Sequence, residues 1–174
     1  MNRKLRNEEL GRASLKEFKR IEKLPIVVVL DDIRSLSNIG SVFRTSEAFL
    51  VEKIYLCGIT AKPPHREIQK TALGATESVD WEYCVSVSDC VAKLKDKGYA
   101  IASIEQTEKT IMLNDFEYQK KPIALIFGNE VNGVRQNVID ISDTVVEIPQ
   151  FGTKHSLNIS VSVGIVLWEM ASRS

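Results

Sequence analysis

The chain has 174 residues, 44% of them hydrophobic and 26% charged, and its 23 Lys plus Arg balance its 23 Asp plus Glu. That length suits one compact domain with a sizeable core, and no apolar run approaches the roughly 20 residues needed to span a bilayer, so a membrane protein is not expected. The basic start runs into Asn7, Glu8 and Glu9 rather than an apolar stretch, so no secretory signal is read, a cytoplasmic protein is expected, and any nucleic-acid partner must be held by a local patch of charge.

Residues 1–24 form a basic segment with eight Lys or Arg against four Glu. Leu10, Leu15, Phe18, Ile21 and Leu24 recur in it at helical intervals, with Gly11 as a break. Two readings stay open: an arm that tracks phosphates, or a solvated helix packing one face on the body. From Pro25 onward, taken as one domain over 25–174, short apolar runs alternate with longer amphipathic ones. In chain order the pattern predicts a strand at 26–30, a helix over 38–50, a strand at 53–58, a weaker strand at 81–85, a helix over 87–97, strands at 99–104 and 123–127, a helix over 133–140 and a strand at 144–148. Continuous apolar strands separated by helices imply an α/β fold whose sheet is mostly parallel and covered on both faces. One segment resists a local reading. Residues 158–165 alternate apolar and polar as a strand does, yet Val166-Leu167-Trp168-Glu169-Met170 suits a helix that Ser156 would cap.

Several chemistries lack their residues. Cys57, Cys84 and Cys90 are odd in number without CxxC spacing, and are read as small core side chains. His65 and His155 form no ligand pair, so no metal is expected. No GxGxxG is present for a dinucleotide, the GxxxxG at 128–133 is followed by Val134 and Arg135 rather than the Lys and Ser or Thr of a phosphate loop, and no GxSxG marks an acyl-transfer nucleophile.

Three polar clusters remain, each at the end of a predicted strand, where open α/β sheets place their ligands. The first runs over 31–49 and holds Asn38 and, six residues on, Arg44; the second runs over 124–134 with Gly128 and Glu130; the third runs over 147–165 with Ile148, Ser156, Leu157 and Asn158. Taken singly they have plain explanations: Asn38 as a helix cap, Arg44 as a surface ion-pair partner, Glu130 as a helix-dipole complement, Ser156 and Asn158 as cap and turn residues.

Together, NxGxxxRT at 38–45, a strand followed by GxExxG at 124–133 and IPxxGxxxSLNxSV at 148–161 resemble the three ordered motifs of the SpoU class of SPOUT RNA methyltransferases. The run from Gly128 through residues 147–150 to Trp168 and Glu169 is most similar to the tRNA guanosine-2′-O-methyltransferases. The resemblance implies a flanked parallel sheet closed by a deep C-terminal trefoil knot, a topology no general rule would suggest, with 158–165 as the start of the last helix. It implies S-adenosylmethionine as cofactor, contacted by Gly128, Ile148, Ser156 and Leu157 and by one residue among 103–105. It implies methyl transfer to a ribose 2′-hydroxyl of structured RNA, tRNA favoured and ribosomal RNA possible, by a homodimer in which Arg44 and Asn38 reach the cofactor held by the neighbouring copy. Arg44 becomes the central catalytic residue, aided by Asn38, Glu130, Ser156 and Asn158. A guanidinium pKa above about 12 makes a general base of Arg44 a poor choice, whereas binding a phosphate and stabilising charge on the 2′-oxygen suits it. Leu50 stands where many members carry Gly, a change expected to alter packing alone. A noncatalytic RNA-binding knot protein is the competing class.

Overall fold

The basic start of the chain folds as two separate turns, a 3-10 turn at Asn7–Leu10 and α1 (Leu15–Phe18). Gly11 ends the first at a φ of 59°, and Ser14 starts the second by accepting from the Glu17 N–H while Glu17 accepts from the Ser14 N–H. Leu5, Leu10, Leu15 and Ile21 remain exposed and Phe18 alone of residues 2–22 is buried, with Lys23 over its ring. The solvated helix packing one face on the body is corrected to two short turns, separated at the expected Gly11 break, of which Phe18 alone packs inward. The structure, a computed structural model, describes residues 2–173. Met1, which opens the expected basic segment, and Ser174, which ends the expected domain, lie outside the described residues.

The body follows as β1 (Leu24–Asp31), α2 (Leu36–Ala48), β2 (Val51–Cys57), α3 (Arg66–Ala72), α4 (Ala75–Ser78), β3 (Asp80–Cys84), α5 (Val87–Asp96), β4 (Ala100–Ile104), β5 (Ile111–Met112), β6 (Ile123–Phe127), α6 (Gln136–Ile141), β7 (Thr144–Glu147) and α7 (Ile159–Ser172). The strands make one sheet in the order β3-β2-β1-β6-β4-β7-β5, and every adjacent pair is parallel. β1 shows why both faces must be covered. Ile26, Val28 and Leu30 join a core with α2, α3 and α7, while Val27 and Val29 point the other way into a core with α5 and Val138 of α6.

Each strand predicted from the sequence is present to within two residues at either end. The helices α3 and α4 and the edge strand β5 are too short to show a period, and the pattern did not reveal them. Helix starts differ more. Ser35, not Asn38, caps α2 by accepting from the Asn38 N–H at 3.3 Å, and Asn158, not Ser156, caps α7 by accepting from the Ser160 N–H at 2.9 Å. Residues 133–135 stay outside α6 because the turn after β6 closes on itself, Asn129 and Gly133 exchanging backbone hydrogen bonds of 3.1 and 2.8 Å. Gly40 in α2 has Thr71 and the Ile68 carbonyl of α3 where a Cβ would stand, so the glycine of the first motif sets how closely these helices pack.

Candidate active site

The chain leaves β1 outward through β2 and β3 and returns on the other side of β1 through β4, β6 and β7. Crevices form at the carboxyl edge beside such a reversal. Here the loops after β4, β6 and β7 enclose a cleft of about 1570 Å³, more than the roughly 300–1,000 Å³ that a single small ligand occupies. Gly128, Ile148, Ser156 and Leu157, the four residues expected to hold a cofactor, all line it, as do Glu130, Asn158 and Asn38, the last placed at its own chain's cleft rather than reaching only toward a neighbouring copy. The loops are tied together: the Gln106 amide donates to the His155 carbonyl at 2.9 Å.

Gly128 is fixed by steric need. A Cβ there would run into the backbone of Gly133 and Val134, so the first residue after β6 must be glycine for the turn to fold back on its strand. Of residues 103–105, Ser103 is fully buried and bonded to Ser142 at 2.8 Å, while Ile104 and Glu105 line the cleft. Glu105 holds the two loops in register by accepting from the Val134 N–H at 2.8 Å and the Gln106 N–H at 2.8 Å. The lining carries Glu105, Glu108, Glu130 and Glu147 against Lys109 as its full positive charge among the described residues. Such a cleft favours a cationic ligand over a phosphate.

At the rim, residues from all three motifs meet. The Asn158 amide donates to the Asn38 Oδ1 at 3.2 Å. Glu130 accepts from the backbone N–H groups of Arg34 and Ser35, each at 3.1 Å, bridging the β6 turn to the loop before α2. Partial burial raises the Glu130 carboxyl pKa, but the backbone donors of Arg34, Glu130 and Ser35 and the Asn38 side chain outweigh it, leaving the net value below the usual range. The turn itself is closed by Asn129, whose amide donates to the Asp32 carbonyl at 2.7 Å and whose Oδ1 accepts from the Val131 N–H at 2.9 Å.

Arg44 is not brought to this cleft. It is exposed on α2, about 9 Å along the axis from Asn38 at 1.5 Å per residue, and lines a separate, smaller groove with Leu15, Glu47 and residues 72–75. Among the described residues it makes no side-chain hydrogen bond or ion pair, so its guanidinium is free for a ligand.

Sequence reasoning missed one half-buried ion pair. Arg135 donates to the Asp31 carboxylate from Nε at 3.1 Å and from a terminal nitrogen at 2.7 Å, with Asp31 2% exposed. Burial drives the Asp31 carboxyl above its usual range even with Arg135 against it. The two lie more than a hundred positions apart, and charge patterning along a chain carries no signal at that separation.

No helix of the described residues is long and apolar enough to cross a membrane. A family model described as the SpoU rRNA Methylase family matches residues 25–168. The chain is 30% identical over 159 residues to a tRNA (guanosine(18)-2′-O)-methyltransferase of Aquifex aeolicus, covering 89% of this chain and 72% of that one. It is 30% identical over 150 residues to the 23S rRNA (guanosine-2′-O-)-methyltransferase RlmB of Ralstonia nicotianae, covering 86% and 59% respectively. A solved AdoMet-bound rRNA methyltransferase from Sinorhizobium meliloti superposes with a TM-score of 0.80 at 25% identity, over 90% of this chain and 59% of that one.

Proposed function

The chain belongs to the SpoU rRNA methylase family, and from that premise we propose that it moves a methyl group from S-adenosylmethionine to a ribose 2′-hydroxyl of structured RNA in the cytoplasm, tRNA being favoured over ribosomal RNA. One observation carries this. Every residue expected to hold the cofactor lines one cleft, and three of the residues expected around the reacting sugar, Asn38, Glu130 and Asn158, form a joined cluster on its rim. The cleft suits a sulfonium ligand: it is acidic, its loops offer backbone groups, and Ile104, Phe127, Ile148 and Leu157 give apolar walls. Its volume leaves room for a nucleotide beside the cofactor.

The cofactor supplies an electrophilic methyl, so the protein's task is alignment and charge stabilisation. Gly128, Ile148, Ser156 and Leu157 would hold the cofactor, the last two from the exposed loop before α7. Asn38 and Asn158, with Glu130 holding the loop before α2, orient the ribose. Arg44 binds the adjacent phosphate and stabilises charge on the 2′-oxygen, the proton leaving to phosphate or water. Since Arg44 faces away from the cleft of its own chain, it serves the cleft of a second copy, and the working unit is a homodimer. α7 supports this assignment: it buries Ile159, Val163, Val166, Leu167 and Met170 yet leaves Val161 48% and Trp168 63% exposed, a surplus apolar face. The C-terminal part is read as a trefoil knot, a reading supported by residues 148–158 lying against the loops after β4 and β6. Residues 1–24 act as a basic arm on the RNA, and 25–174 as the catalytic domain.

The curated relatives match over 59% to 72% of their own lengths, so the RNA target is decided by assay. Incubation with methyl-labelled S-adenosylmethionine and separate tRNA and ribosomal RNA pools, followed by mapping of the labelled nucleotide, should place label on a ribose of tRNA. Label on ribosomal RNA alone would shift the substrate, and binding of RNA without label in either pool would indicate the noncatalytic class.

A further inference from the structure

The three cysteines of the chain are scattered in sequence, and the fold brings them to one point on the face of the sheet that carries α5. Cys57 ends β2, Cys84 ends β3 and is its direct register partner, and Cys90 lies in the first turn of α5 above them. Their Sγ atoms all lie within 4.8 Å of one another. Three sulfurs around one ion at about 2.3 Å in a trigonal plane are about 4.0 Å apart, so side-chain adjustments of under about 1 Å would close the set. From this geometry we infer that Cys57, Cys84 and Cys90 form a binding site for one soft, thiophilic cation, copper(I) or zinc.

The surroundings suit that ligand. Cys57 and Cys90 are buried while Cys84 is half-buried and offers an entry path. None of the three lines the cleft at the carboxyl edge, so this site stands apart from methyl transfer. Lys93 and Lys53 lie over the neighbouring Tyr55 ring at 5.8 and 5.9 Å, both paired with Glu82. As the three metal–sulfur bonds form, the thiol protons pass to solvent. All-sulfur trigonal coordination is natural for copper(I), and zinc would complete four ligands with a water on the Cys84 side.

The test titrates the reduced, folded chain with copper(I) and with zinc separately, using cadmium as the spectroscopic stand-in for zinc. One ion should bind per chain, with a thiolate-to-metal charge-transfer band that saturates at one equivalent, and Cys84→Ser and Cys90→Ser should each weaken binding by at least tenfold. The ion that binds more tightly identifies the occupant. In the wild-type chain the bound ion should protect all three cysteines together from alkylation, a readout that holds even where a variant folds poorly. Binding of S-adenosylmethionine by the loaded chain should be unchanged. Failure of the folded wild type to take up either ion at one equivalent, or uptake that leaves the three cysteines equally open to alkylation, overturns the site whatever the methylation assay shows.

Discussion

Single atoms decide two positions in the candidate site. At Gly128 a methyl group meets backbone rather than a movable side chain, so Gly128→Ala must displace the turn over 128–133. Overpacking of this kind costs about 1–3 kcal/mol, and calorimetry should show S-adenosylmethionine binding lost or weakened at least tenfold in a chain that still folds. Glu130 makes a pH-dependent contribution. Its folded pKa lies below the ordinary value, so its stabilisation is present above the unfolded pKa of about 4.3 and is lost as pH falls through the folded value. Glu130→Gln should cost about 1 kcal/mol or less at neutral pH, because solvent screens an exposed carboxylate. Thermal melts should then show the difference between wild type and variant shrinking as the solution is acidified through that range; a constant difference would remove the carboxylate from this role. Leu50, read in the sequence as a packing change alone, adopts a φ of 54°. A backbone in the left-handed region is one that glycine enters without penalty, so the departure also strains the link between α2 and β2.

Elements differ in how strongly their own residues define them. β6 spans Ile123–Phe127 as read from its apolar run, since a strand buried on both faces is written locally. α7 is the opposite case: its alternating residues fit a strand, and a helix forms because packing against α2 and the Asn158 cap override the period. The basic arm is defined by charge more than by packing. With Arg3, Lys4, Arg6, Arg12, Lys16, Lys19 and Arg20 exposed around two short turns, replacing these seven by Ala should weaken tRNA binding. It should also flatten the salt dependence of log K by several units, at about 0.9 for each phosphate no longer neutralised, while leaving cofactor affinity in place. An unchanged slope would make the arm a solvated extension.

For the whole molecule the informative fact is a separation. Asn38, Glu130 and Asn158 meet at the rim of one cleft, and Arg44, on the same helix as Asn38, faces elsewhere. A homodimer in which each Arg44 completes the other copy's cleft predicts complementation. Arg44→Ala should bind cofactor with turnover reduced at least a hundredfold, and Ser156→Trp should fail to bind it. After subunit exchange a mixed dimer regains one complete site, because the Arg44→Ala copy supplies an intact cleft and the Ser156→Trp copy an intact arginine. Recovery should approach half of wild-type turnover per mixed dimer; exchanged heterodimers that stay inactive, or full activity of a monomer in sedimentation, would sink the shared site.

The sequence by itself determined the layered α/β class, the placement of its main strands and the residues of three polar clusters, because apolar runs, turn residues and motif spacing are local properties that a linear chain carries openly. It also led to the family, through motifs whose order and strand context agree. Tertiary structure decided what depends on distance in space. It joined Asn38 to Asn158 and Glu130 to the loop before α2, paired Asp31 with Arg135, turned Arg44 away from the cleft and brought Cys57, Cys84 and Cys90 to one point. The physical reason is common to all of these: a hydrogen bond, an ion pair or a ring of sulfurs is set by a separation of a few ångströms, and only the crossing of strands in the folded sheet converts positions far apart in the chain into neighbours.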